Sequence, residues 1–178
     1  GYRSIWDVSG IDTIDASDSS RSVVIDLRNA TLENEIGGGG FPSKINGECM
    51  GYTIAYNSFS DGFGDGLYEA VIENAKGSSL NDSLQGNDND NYLEGMYGDD
   101  TLMGGYGDDT LYGGEGDDVY TGGAGADSFA FDAGSNVIYD FDPSSSGDKD
   151  LIAIDFDDVS PWVSLTGDSL FIFDDNSD

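Results

Sequence analysis

From residue 77 to residue 130 one apolar side chain returns at every ninth position: Leu84, Leu93, Leu102, Leu111, Tyr120 and Phe129. Neither the 3.6-residue period of a helix nor the two-residue period of a long strand produces that spacing. Aligned on it, the segment divides without a gap into six nonapeptides: GSSLNDSLQ, GNDNDNYLE, GMYGDDTLM, GGYGDDTLY, GGEGDDVYT and GGAGADSFA. Position one is always Gly. Position six is Asp82, Asn91, Asp100, Asp109, Asp118 and Asp127 in turn.

A repeat this short predicts a solenoid, because one unit cannot bury its apolar residue alone and stacked neighbours must do so. Positions seven to nine, as in TLM and TLY, predict a three-residue strand whose middle side chain points away from the other two. The six residues before them, as in GGYGDD, predict a turn where glycine permits positive φ and close backbone approach. Two nonapeptides then complete one coil of a flattened right-handed helix, with residues eighteen apart stacked at ~4.8 Å. The expected fold is all-β, a parallel β-roll with position-eight side chains as a thin core. Its rims carry Asp82, Asp100 and Asp118 on one side and Asn91, Asp109 and Asp127 on the other.

The flanks alternate or run apolar in strand fashion, with no strong helical signature. Before the repeats stand SIWDV, DTIDAS, SVVIDLR, YTIAYN and AVIEN; after them NVIYDF, DLIAIDF, WVSLTG and SLFIFDD. The chain therefore divides into an amino-terminal strand flank (1–76), the roll (77–139) and a carboxy-terminal β cap (140–178). Two long loops fall near 33–51 and 57–68. The second contains DGFGDG, which has an EF-hand flavour but puts Phe63 at a ligand position and has no acid at the twelfth.

Charge changes the picture. Asp and Glu number 36 against 6 Lys and Arg, with no His, for a net charge of −30. Such a chain repels itself when compact. Its Leu, Ile, Val and Phe content is just over a fifth, close to the level at which highly charged chains stay disordered. Folding is expected only when cations discharge it. A nucleic-acid partner is not expected, since no basic patch exists to meet phosphates. No apolar run approaches the roughly 18–20 residues of a membrane span. The first residues, GYRSIWDVSG, lack the basic-then-apolar pattern of a cleavable signal peptide. The single Cys49 precludes an internal disulfide, and without His neither His-based zinc sites nor Ser-His or Cys-His catalysis can arise within this chain.

Stacked carboxylates ~5 Å apart repel by about 1 kcal/mol in water and by several at a protein-like dielectric. A divalent cation between adjacent coils reverses that sign. Turn carbonyls would complete an all-oxygen shell of about six, which suits Ca²⁺ better than Mg²⁺. Counting by nines extends the ladder to Glu73 before Asp82 and to Asn136 after Asp127. The candidate pairs are 73/91, 82/100, 91/109, 100/118, 109/127 and 118/136. In the first two repeats Leu80 and Asn89 replace the fourth-position glycine.

The consensus G-G-x-G-x-D-x-U-x resembles the calcium-binding nonapeptide of RTX proteins. More of the chain, roughly residues 2–157, resembles the carboxy-terminal domain of serralysin-type secreted metalloproteases. The phrases SIWDVSGIDTIDAS, VVIDLR, TIAYN, VIENAKGSSLNDSLQGN and ADSFAFD…IYDF…DKDLIAID follow in that order. The resemblance implies a parallel β-roll flanked by antiparallel strands, in a secreted protein exported by a type I system that reads an uncleaved carboxy-terminal signal. It implies about four to six calcium ions and a covalently preceding catalytic domain. It also implies carbonyl ligands from Gly95, Gly98, Gly104, Gly105, Gly107, Gly113, Gly114, Gly116, Gly122, Gly123 and Gly125, beside the position-six acids. Glu73 would close the first coil. Asp7 and Asp12, with the carbonyls of Ser9 and Gly10, would bind a calcium near the join to a preceding domain, and Asp150 and Asn136 would serve beyond the last coil. The chain departs from that family in lacking the zinc helix, since it has no His, and in ending FDDNSD where the family has an acid followed by apolar residues.

Three functions of different class follow. The first is a calcium-folded accessory domain, itself without catalytic activity, of an exported serralysin-like protease. The second is an extracellular adhesion or carbohydrate-contacting module, resting on the loop aromatics Phe41, Tyr52, Phe59, Phe63 and Tyr68. The third is hydrolysis by a carboxylate pair, which a chain with 36 acids offers by chance.

Overall fold

The computed structural model describes residues 10–28, 72–143 and 148–154, together with strand segments 3–5, 44–45, 48–49, 52–54, 162–166 and 169–173. Among the described residues every helix or strand is a strand. In chain order they are β1 (Arg3–Ile5), β2 (Thr13–Asp15), β3 (Val23–Asp26), β4 (Lys44–Ile45), β5 (Glu48–Cys49), β6 (Tyr52–Ile54), β7 (Asn74–Lys76), β8 (Ser83–Gln85) and β9 (Tyr92–Tyr97). They continue with β10 (Thr101–Tyr106), β11 (Thr110–Glu115), β12 (Val119–Ala124), β13 (Ser128–Phe131), β14 (Ser135–Ile138), β15 (Leu151–Ile154), β16 (Trp162–Thr166) and β17 (Ser169–Phe173).

Successive repeat strands go alternately to two sheets, as two nonapeptides per coil require. One sheet has the order β16-β17-β14-β12-β10-β8-β3-β4-β5, and the other β15-β13-β11-β9-β7-β2. Pairing within the repeats is parallel at a register of eighteen: Leu102 opposes Leu84 and Tyr120, and Leu111 opposes Leu93 and Phe129. The result is a parallel β-solenoid of about four turns. Parallel pairing runs past the repeats, to β2 and β3 on one side and β14 and β15 on the other. Antiparallel strands flank it: β4 and β5 beyond β3, and β17 and β16 beyond β14.

The position-eight side chains, Leu84 through Phe129, are fully buried and form the core with Val23, Ile25, Leu27, Ile138, Leu170 and Ile172. At the carboxy-terminal end aromatic rings thicken it, with Tyr120 and Phe129 edge to face at 5.9 Å.

The repeat strands differ from the expected length. β9 to β12 each span six residues, because the chain stays extended through positions one to three before it turns. Glycine with positive φ occurs at position four, as in Gly107 (φ 105°), and inside the strand at position two, as in Gly114 (φ 96°). The turn proper is therefore three residues. In the first two repeats Leu80 and Asn89 avoid positive φ. There the turn is drawn in by side chains: the Leu80 N–H donates to Ser78 Oγ at 3.2 Å and the Asn89 N–H to Asn87 Oδ1 at 2.9 Å.

Met96 occupies position two of the third repeat and is the one non-glycine with positive φ among the described residues, at 86°. A left-handed conformation costs an L-residue roughly 1–2 kcal/mol, of which glycine's extra chain entropy would return about half. Met96→Gly is expected to stabilise the fold by about 0.5–1 kcal/mol, and Met96→Val, branched at Cβ, to destabilise it by a similar amount. Denaturant unfolding of the two variants beside the parent checks both signs.

Candidate metal centre

Strand alternation delivers the site. In β10, Leu102 and Gly104 face inward, with Thr101 and Met103 on the outer surface. The second inward position is glycine in every repeat because the space for a Cβ is already taken. At Gly95 a Cβ would collide with Asp100 Oδ2 and lie 2.7 Å from the Gly113 carbonyl oxygen. At Gly104 it would collide with Asp109 Oδ2 and lie 2.6 Å from the Gly122 carbonyl oxygen. Each position-six carboxylate is thus folded back into the roll, beside the first glycine of its own repeat.

One oxygen of each carboxylate is held by backbone. Oδ1 accepts the N–H of the position-six residue one coil earlier: Asp82 donates to Asp100 at 2.7 Å, Asn91 to Asp109 at 2.8 Å, Asp100 to Asp118 at 2.9 Å, and Asp109 to Asp127 at 3.0 Å. Two residues beyond the repeats join these ladders. The Asp118 N–H donates to Asn136 Oδ1 and the Asp127 N–H to Asp150 Oδ1, both at 3.0 Å. Asp150 follows Asp127 by twenty-three residues, so counting by nines does not reach it.

The second oxygen divides the repeats. Among the described residues, Oδ2 of Asp100, Asp109 and Asp127 is buried and has no hydrogen-bond partner. Asp82, in contrast, accepts the Val23 and Ser78 N–H groups and the Ser78 hydroxyl. Asn91 is neutral and accepts the Asn87 N–H at 2.7 Å. Asp118 Oδ2 meets the Tyr120 hydroxyl at 3.3 Å. Among the described residues the two ion pairs, Arg28 with Asp26 and Lys76 with Glu94, involve no position-six residue.

Burial with no compensating charge pushes the carboxyl groups up. Asp100 rises to about 8, Asp109 to about 7, and Asp118 and Asp127 to about 6. Desolvation is the main cause, opposed by the backbone N–H groups they accept and reinforced at Asp100 and Asp109 by like charges one coil away. Asp150 is raised for the same reason.

A partnerless buried carboxylate oxygen beside backbone carbonyls fits a hard cation with oxygen ligands. Among the described residues no three acidic side chains converge on one point. Each rim carries one position-six residue per coil, so most of any shell must be carbonyls. Gly95, Gly113 and Gly122 present theirs at the first-glycine positions. Gly114 is otherwise engaged, since its carbonyl accepts the Asp132 N–H at 3.1 Å.

The ends are less regular. Glu73 reaches Asn91 through its backbone carbonyl, which accepts Nδ2 at 2.9 Å, while its carboxylate accepts the Asp12 N–H at 2.8 Å. Asp12 and Glu73 are therefore neighbours. Asp7 and Ser9, and the loop residues Phe41, Phe59, Phe63 and Tyr68, lie outside the described residues, as does the side chain of Tyr52.

Position five was not singled out by sequence. Exposed Asp90, Asp99, Asp108 and Asp117 form an outer ladder that points the opposite way, each accepting an N–H from one coil later, at 2.7–3.1 Å. The first rung is Asn81, whose Oδ1 accepts the Asp99 N–H at 3.1 Å in the same direction. The signal was present in the doubled aspartates, whose two members take opposite roles. Asp140, which accepts the Gly122 and Gly123 N–H groups at 2.9 and 2.8 Å, carries no periodic signal.

A family model described as RTX calcium-binding nonapeptide repeat (4 copies) matches residues 76–105 and 94–129. No curated protein matches the chain.

The raised carboxyls have a signed consequence in calcium-free solution. Their stabilising contribution is complete below the ordinary value of 3.8 and is lost as pH rises through about 6 to about 8. In chelator the chain is expected to gain β-structure on acidification from about pH 8 to about pH 5, followed by far-UV circular dichroism. Asp100→Asn combined with Asp109→Asn should flatten that profile.

Proposed function

We propose that this chain, whose residues 76–129 are RTX calcium-binding repeats, is a calcium-folded accessory domain of an exported protein. Its parent is a serralysin-type zinc metalloprotease with the catalytic domain preceding this chain, and its export uses a type I system. The chain itself is non-catalytic. The observation that carries the calcium-dependent folding is the set of partnerless buried oxygens on Asp100, Asp109 and Asp127. RTX repeats typically belong to exported proteins, which favours an extracellular setting. The serralysin parent and the type I route rest on the ordered phrases that resemble that domain.

Asp100, Asp109, Asp118 and Asp127 would hold the ions with carbonyls of the repeat glycines, and about four to six ions would fill the ladders. Bound calcium supplies the positive charge that turns repulsion between successive rungs into attraction. The chain does the rest. Its backbone N–H ladder fixes one oxygen of each carboxylate and leaves the other facing the carbonyls. Its first glycines leave the space open, and its position-eight core closes once the coils stack. Where calcium is scarce the carboxylates keep the chain open; at extracellular calcium, sites with Kd of ~10⁻⁴–10⁻³ M fill, and binding free energy becomes folding free energy. Each coil buries its apolar residue only against neighbours, so folding is cooperative.

Far-UV circular dichroism of the chelated chain titrated with Ca²⁺, with Mg²⁺ in parallel, tests this. A cooperative coil-to-β transition at ~1 mM Ca²⁺, and little with Mg²⁺, is expected. Asp109→Ala should raise the midpoint, whereas Asp88→Ala, at an exposed residue outside the ladders, should leave it in place. Full β-structure in chelator at neutral pH, unchanged by calcium, would overturn the proposal.

A further inference from the structure

Tyr120 stands at an inward position that is leucine in the four repeats before it. Its ring is fully buried, and its hydroxyl reaches the rim. There it accepts the Gly113 N–H at 3.1 Å and lies 3.3 Å from both Asp118 Oδ2 and the Ala130 carbonyl oxygen. This is the point where parallel pairing of β11 with β13 stops, after Tyr112 opposite Ala130. The next residue of β13 is Phe131, at the place where every earlier repeat has its first glycine.

Four carboxylates follow a first glycine in the third to sixth repeats: Asp100, Asp109, Asp118 and Asp127. Three have a buried oxygen without a donor, and only Asp118 is met by one. We infer that the Tyr120 hydroxyl sets the calcium requirement of the Asp118 rung, by giving this carboxylate a donor that the other three lack. The inference rests on the calcium reading above and names the residue that makes one rung unlike the rest. Asp118 is then tolerated in the roll with less help from a cation, and the fold forms at a lower calcium concentration than four uncompensated rungs would need.

Tyr120→Phe removes the hydroxyl and keeps the ring. A hydrogen bond to a charged group, lost and shared among about four cooperatively bound ions, should raise the calcium midpoint of folding about two-fold. In an Asp118→Asn background the same substitution should shift the midpoint little, since no charge remains to compensate. Midpoints come from circular dichroism, and calorimetry of the same four proteins reads calcium binding directly. Equal shifts in both backgrounds would assign the hydroxyl to the Gly113 and Ala130 backbone alone and overturn the inference; so would no shift in either. A parent chain that binds no calcium would instead overturn the calcium reading, and this inference with it. Tyr120→Leu, which restores the residue of the earlier repeats, should shift the midpoint in the same direction as Tyr120→Phe.

Discussion

The structure depends on burying one carboxylate per turn in a chain with almost no cations to meet it. Asp100, Asp109, Asp118 and Asp127 are nearly inaccessible, and each is packed where an ordinary residue would place a Cβ. Removing a charge from water is expensive unless it is paired or strongly hydrogen-bonded. Here the backbone ladder satisfies one oxygen and leaves the other open. Much else follows from that arrangement. Position one must be glycine because the carboxylate fills its side-chain space. Position four is glycine in the later repeats because the chain must turn in three residues to bring position six back inside.

Under the proposed function, calcium-free instability and calcium-bound order would be two faces of the same burial. From β8 to β12 the thin core offers one buried apolar side chain per strand. Such a core cannot carry several uncompensated charges, and it does not need to if an ion compensates them. The rims are not uniform. Asp82 draws donors from Ser78 and from β3, Asn91 removes a charge, Asn136 ends one ladder with a neutral amide, and Tyr120 reaches Asp118 from the core. The uncompensated rungs are concentrated where the glycine pattern is complete. In the first two repeats Asp82 has protein donors and Asn91 carries no charge, whereas Asp127 in the last repeat keeps an oxygen without a partner.

The outer ladder of Asp90, Asp99, Asp108 and Asp117 stays in water and solves a different problem. A three-residue turn leaves N–H groups without strand partners, and these side chains accept them from the neighbouring coil. Two adjacent aspartates of one chemistry thus have unlike tasks. The inner one is buried beside the first glycine of its repeat, and the outer one stays exposed and accepts turn N–H groups of the next coil.

The nine-residue recurrence alone determined the solenoid, the register of eighteen, the inward position of Leu102 and Leu111, and the two rims of position-six residues. It could do so because the repeat is a local rule applied identically in each coil, and stacking identical coils leaves little choice. The same counting placed Asn136 on its ladder. It did not reach Asp150, which joins the ladder twenty-three residues after Asp127, nor Asp140, which caps Gly122 and Gly123 from outside the repeat. It also shortened the strands, because glycine pairs read as turn although the sheet holds them extended. Which carboxylate oxygens lack a donor was decided by the tertiary structure: the Val23 N–H reaches Asp82 from fifty-nine residues away, and although Ser78 and Tyr120 lie near Asp82 and Asp118 in sequence, only the fold turns their donors onto them.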